Sequence, residues 1–240
     1  MRKLERKPLS TTAGKFLEGR TQQVLAAEDR AAEAQRLWKQ RGSDFDEIRA
    51  TLGAMAPGRQ RCMYCEDNAG TDIEHFWPKS SYPQKAFTWL NYLLACSGCN
   101  SNFKRDQFPL DDAGRPLLID PTAEEPQEHL ALSATTGMFT SRTPKGQKSI
   151  EVFELNRDVL EQGRYDAWGA IESFLITYED ACVRGDVNRA ERVRQWVRRY
   201  PFSSVFVWFL RYATRPDAGS VIDARCLAVL DKYPDIQHWL

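Results

Sequence analysis

The chain has 240 residues, 33 basic and 33 acidic side chains, and 42% hydrophobic content. That length and apolar content exclude a disordered chain and suit one elaborated domain or two small ones. No apolar run nears the ~18 residues that span a bilayer, and the charged start MRKLERKPLS has no apolar segment behind it, so no secretory signal is expected and a cytoplasmic location is.

Balanced charge counts against a chain that captures nucleic acid alone by neutralising phosphates, or points to a partner that supplies some contacts. The balance is uneven, however. Residues 184–215 hold eight arginines against Asp186 and Glu191, and residues 1–22 hold six basic side chains against Glu5 and Glu18.

In chain order, the first twenty residues read as basic and irregular. A helix is predicted from Thr21 to about Arg41, ended by Gly42. Ser43 with Asp46 resembles a capping box opening a second helix to about Met55, which completes a helical arm over 1–58. Residues 59–111 differ, with cysteines, short apolar runs and frequent turns. Within 112–155, LLID at 117–120 reads as a strand, and HLALSA with GMFTS as a hairpin. From 156 to 240 the pattern is helical, with helices near 156–184, 187–200, 203–214 and 217–232. Val187, Ala190, Val193 and Trp196 are at helical spacing and predict packing, while the arginines between them read as a solvated face. The fold class is therefore mainly α with a small α+β core.

Two C-x-x-C pairs, Cys62/Cys65 and Cys96/Cys99, are separated by thirty residues. Four thiolates at this spacing complete a tetrahedral shell, so a structural zinc ion is expected. Cys182 and Cys226 have no partner at ligand spacing and are expected to be buried. Between and just after the pairs lie Asp72, Glu74, His75, Asn91, Asn100 and Lys104. Phosphodiester hydrolysis needs a base that works near neutral pH, a divalent cation on the scissile phosphate and a fixed geometry. His75 suits the base. Glu74 and Asn100 offer hard oxygens for Mg²⁺ or Mn²⁺. Asn91 is expected to fix the imidazole, and Lys104 and Lys79 to meet phosphate. Glu74 and His75 are neighbours on a strand and would face opposite ways, a conflict that a bulge or a strand end would resolve. Asp72 reads as a surface acid or an outer-shell group. His129 and His238 are expected at the surface.

This order of residues resembles the HNH, or ββα-metal, endonucleases in their zinc-framed form. IEHFWPKS, preceded by CMYCE and followed by LLACSGCNSNFK, is similar more narrowly to the nuclease of Septu anti-phage defence systems and of some retron operons. The resemblance implies His75 as general base, Glu74 in the place of the usual metal-binding Asp, Asn91 as the middle Asn, and Asn100 as the last letter. It further implies a nucleic-acid substrate, DNA ahead of RNA, and a PtuA-like ATPase subunit as partner. Two alternatives stay open: a zinc-stabilised nucleic-acid or protein-binding module without catalysis, and a stand-alone restriction-type HNH nuclease.

Overall fold

The computed structural model describes all 240 residues. Helix α1 (Thr11–Ala26) opens where the Ser10 hydroxyl accepts the Ala13 amide. Helix α2 (Arg30–Lys39) opens in the same way on Asp29. The single helix expected from Thr21 is therefore two, and the first begins ten residues earlier. Each break carries its own capping side chain, which satisfies amides that a helix start leaves without partners.

The capping box expected at Ser43 does not form. Residues Gly42–Phe45 make a 3-10 turn, and helix α3 (Asp46–Met55) follows with Phe45 at its cap position. Phe45 is buried against Phe16 and Trp38. Burying a phenylalanine, at ~1.5–3 kcal/mol, outweighs a cap worth ~1 kcal/mol. Glu47 binds the Ser10 amide and hydroxyl instead, both at 2.8 Å, and ties α3 to the start of α1.

Strands β1 (Asp72–His75) and β2 (Tyr92–Ala95) pair antiparallel with Asp72 opposite Ala95 and His75 opposite Tyr92. All four residues of β2 are buried. The predicted hairpin is present as β3 (Leu130–Leu132) and β4 (Phe139–Ser141). Gly137 in its turn has φ +71°, and a Cβ there would come within 2.0 Å of the Glu161 carbonyl. The buried Arg164 donates to the Gly137 and Leu155 carbonyls, fastening the hairpin to the long helix behind it. The strand expected at 117–120 is absent. Leu118 and Ile119 are fully buried, but the Ile119 amide bonds the Ser149 hydroxyl of a helix instead of a neighbouring strand.

Helices α4 (Pro126–His129) and α5 (Pro144–Val152) flank that hairpin. Four further helices follow: α6 (Asp158–Val183), α7 (Val187–Arg199), α8 (Ser204–Ala213) and α9 (Ala224–Lys232). The last starts later than expected because residues 218–220 form a 3-10 turn and Asp223 supplies the cap. Val193 and Val197 of α7 are buried, whereas Val187, expected to pack, is 77% exposed, and Trp196 packs on Phe174 yet stays 41% exposed. Cys226 is buried and Cys182 half-buried. His238 is exposed as expected, but His129 is half-buried between Thr143 and Glu124. No helix is long and apolar enough to cross a membrane.

One hydrophobic core runs from Met1 and Leu4 through the cysteine region to Trp239. At its centre the Met1 ammonium lies 3.4 Å from Glu66, whose carboxylate also accepts the Ser204 amide at 2.9 Å. The start of the chain, the first cysteine pair and α8 thus meet on a single buried carboxylate.

Candidate metal frame and active site

The four cysteines at 62, 65, 96 and 99 are buried and unpaired as disulfides, and their sulfurs all lie within 4.8 Å of one another. Cys65 and Cys96 Sγ are 3.9 Å apart. A Zn–S bond of about 2.3 Å places the sulfurs of a tetrahedral site about 3.8 Å apart, so the cluster fits zinc. The Cys99 amide donates to Cys96 Sγ at 3.4 Å, an interaction that favours a thiolate. Cys62 and Cys65 lie in the turn before β1, Cys96 directly follows β2, and Cys99 sits in the helical segment Gly98–Lys104. A metal bound by the four sulfurs would hold the hairpin and this segment together, where neither has length enough to be stable alone.

β1 and that segment face each other in a matched ladder. Asn100 Nδ2 donates to Asp72 Oδ2 at 3.0 Å, and Lys104 Nζ lies 2.7 Å from Glu74 Oε1. Gly98–Lys104 is a π-helix, so Asn100 and Lys104, four residues apart, are close to one turn apart and fall on one face, as Asp72 and Glu74 do on the strand. Asp72, the acid the sequence could not place, is the partner of Asn100. Because a carboxylate only accepts, the Asn100 amide nitrogen faces Asp72 and its oxygen is turned elsewhere.

Glu74 is 2% exposed. Burial pushes its carboxyl above the usual range, while Lys104 and the Tyr64 hydroxyl at 3.4 Å pull the other way. Lys104 also donates to the His75 carbonyl at 2.9 Å and is 1% exposed. This lysine, expected to meet phosphate, is instead the buried counter-ion of Glu74. Lys79 is half-buried, 5.8 Å from the Trp38 ring, and its charge acts on both Glu74 and His75.

His75 is the last residue of β1, and the register runs to it without a bulge. The bulge is absent, and although the strand ends at His75 the two side chains still point apart. The Glu74 side chain leaves toward Tyr64 and Lys104, whereas the His75 ring lies 4.3 Å from that of Trp38 and 5.3 Å from that of Tyr92. The Glu74 carboxylate and the imidazole make no direct contact. His75 Nε2 is 2.9 Å from the Ala86 carbonyl oxygen. A carbonyl only accepts, so Nε2 carries the proton and Nδ1 is left with its lone pair. Burial first, and then the charge of Lys79, bring the His75 pKa down to about 3, so the imidazole is neutral.

Asn91 does not touch the imidazole. Its side chain accepts the Trp77 amide at 2.7 Å and donates to the Trp77 and Lys85 carbonyls, each at 3.0 Å. It clamps the two ends of the loop between β1 and β2, and Ala86, beside Lys85, then presents the carbonyl that holds His75. The direct contact with the imidazole expected of Asn91 is therefore absent, and its bonds order the loop instead. Trp38 and Tyr64 were missed from sequence. Tyr64 lies inside the first C-x-x-C and had a local signal, whereas Trp38 sits on α2, far away in the chain.

Compared with known proteins, the chain is 31% identical over 149 residues to the Septu protein PtuB of Bacillus mycoides (strain KBAB4), covering 50% of each chain. It is 26% identical over 111 residues to the Septu protein PtuB of Bacillus thuringiensis, covering 44% of this chain and 40% of that one. No family model matches the chain. The chain spans about half the length of the curated relatives it matches, and with its four-cysteine cluster it is a distant relative of Septu PtuB proteins.

Proposed function

We propose that this chain is a metal-dependent HNH endonuclease that hydrolyses nucleic-acid phosphodiester bonds, DNA ahead of RNA, as the nuclease subunit of a Septu-like anti-phage complex with an ATPase partner. The observation that carries the reading is the state of His75. It is a neutral imidazole at the end of β1, with Nε2 engaged by Ala86 and Nδ1 free, next in sequence to a buried acid, while Asp72 on the same strand orients Asn100.

In this reading Nδ1 takes a proton from the attacking water as the water oxygen bonds to phosphorus, and the leaving sugar oxygen departs with a proton from solvent. The phosphate sits at the end of β1, where Lys79 can pair with it. That pairing also relieves the charge that helps depress His75. Glu74 Oε2 and the Asn100 side-chain oxygen are hard donors not engaged by Lys104 or Asp72, and they suit Mg²⁺ or Mn²⁺. A divalent ion held there would supply positive charge to the phosphate. Asp72 orients Asn100, and Lys104 opposes the upward push that burial gives the Glu74 carboxyl.

The alternative of a zinc-stabilised binding module draws on one observation, the closure of Glu74 under Lys104. A cleavage assay on DNA and RNA with Mg²⁺ or Mn²⁺, with and without the ATPase, separates the two. Cleavage that needs the divalent ion supports the nuclease, and salt-sensitive binding with no cleavage under any condition supports the module.

A further inference from the structure

Beside the first cysteine pair lies an open groove of about 710 Å³. One wall is the segment leading into Cys62, with Arg59 and Arg61, and the other is the last turns of α7, with Arg192 and Arg199. Its floor is a row of aromatic rings: Trp196 and Phe174 have centroids 5.9 Å apart, and Phe174 and Tyr200 5.4 Å apart. Trp196 is 41% exposed.

The charge of this groove is not neutralised by the protein. No carboxylate lines it, and Arg59, Arg192 and Arg199 have no acidic partner within 4.0 Å. Arg61 donates to the Asp67 carbonyl, and its Nε is buried with no partner. Arginines elsewhere in the helical region have carboxylates at hand in most cases: Arg194 pairs with Asp235, Arg215 with Asp217 and Arg225 with Asp180, and the unpaired Arg184 and Arg189 share a cavity with Asp180 and Asp186. In a chain with no net charge, three unpaired arginines around an exposed tryptophan, with Arg61 turned toward Asp67 beside them, form a local cationic site with a stacking face. A folded protein does not gain from leaving such charges together, because like charges repel and an exposed indole loses apolar burial. Phosphates neutralise the first and a nucleobase covers the second.

We propose that this groove binds single-stranded nucleic acid outside the catalytic constellation, with the arginines on backbone phosphates and Trp196 against an unpaired base. The proposal takes from the nuclease reading only the class of ligand. It gives the chain its own hold on a strand, despite its balanced net charge, and gives the arginine-rich α7 a role beyond packing.

The test is binding of a fluorescein-labelled single-stranded DNA oligonucleotide to the zinc-loaded full chain, by anisotropy, without added Mg²⁺ or Mn²⁺. Trp196→Ala should weaken binding roughly tenfold, and Trp196→Tyr, which keeps a stacking ring, should retain most of it. The double variant Arg192→Ala/Arg199→Ala should lower the slope of log affinity against log salt by about 1.4, as expected for two single-strand phosphate contacts. Arg184→Ala/Arg189→Ala, at the other end of α7, removes the same charge outside the groove and should leave the slope unchanged. His75→Ala should bind like wild type, so loss of cleavage with binding intact, or the reverse, tells the two readings apart. The proposal is overturned if wild type does not bind, if the groove variants match it in affinity and slope, or if the control pair weakens binding as much. It is equally overturned if the groove variants keep the oligonucleotide but no longer assemble with the ATPase, which would make the groove a protein-docking site.

Discussion

Glu74 and Lys104 form an ion pair at 2.7 Å with 2% and 1% of their side chains exposed. Both charges are out of water, so removing either side chain leaves the other buried without its partner. Lys104→Met should therefore cost about 3–5 kcal/mol, read as a lowered urea midpoint with an unchanged slope. The double variant Glu74→Gln/Lys104→Met, which buries no lone charge, should recover a large part of that loss. A single variant as stable as wild type would mean that the pair is not buried in solution.

Asp72 holds Asn100 by one hydrogen bond. If Asn100 ligates the divalent ion, Asp72→Ala should raise the Mg²⁺ or Mn²⁺ concentration for half-maximal cleavage by roughly 10- to 100-fold, the usual cost of losing an orienting outer group. The rate at saturating ion should change far less. A loss that added ion cannot restore would assign Asp72 a different role.

Asn91 makes three hydrogen bonds to the loop that carries the Ala86 carbonyl. Asn91→Ala leaves buried backbone groups without partners and should cost about 1–3 kcal/mol. It should also speed hydrogen exchange at the Trp77 amide and slow cleavage. Asn91→Asp keeps the acceptor but loses both donations, so it should lie near the alanine variant and not near wild type.

One zinc ion per chain is expected by elemental analysis. Its removal with a strong chelator, or Cys96→Ser, should release the end of β2 and the segment after it and lower the melting temperature markedly. Re-added zinc should restore the first case and not the second. A chain that melts alike with and without metal would remove zinc from the account.

How much was legible in the sequence follows from how local each cause is. The cysteine cluster is legible because its spacing is local, and the hairpin around Gly137 is set by its own turn. The Ser43 cap was misread because Phe45 is drawn into a core with Phe16 and Trp38, a tertiary demand. LLID at 117–120 has the apolar pattern of a strand, but its amide finds Ser149, thirty residues away. Lys104 reads as a free cation until the ladder between β1 and Gly98–Lys104 seats it on Glu74. The same distance hid Trp38, which walls the His75 pocket from another helix.

The most direct test of the central claim is the single-turnover cleavage rate of wild type and His75→Ala at equal zinc content, with Mg²⁺ or Mn²⁺ and the ATPase partner present. A general base contributes about 10²- to 10⁴-fold, so the variant should fall by at least the lower figure while its fold and zinc content are kept. Cleavage by His75→Ala at the wild-type rate would contradict the assignment of His75 as the base.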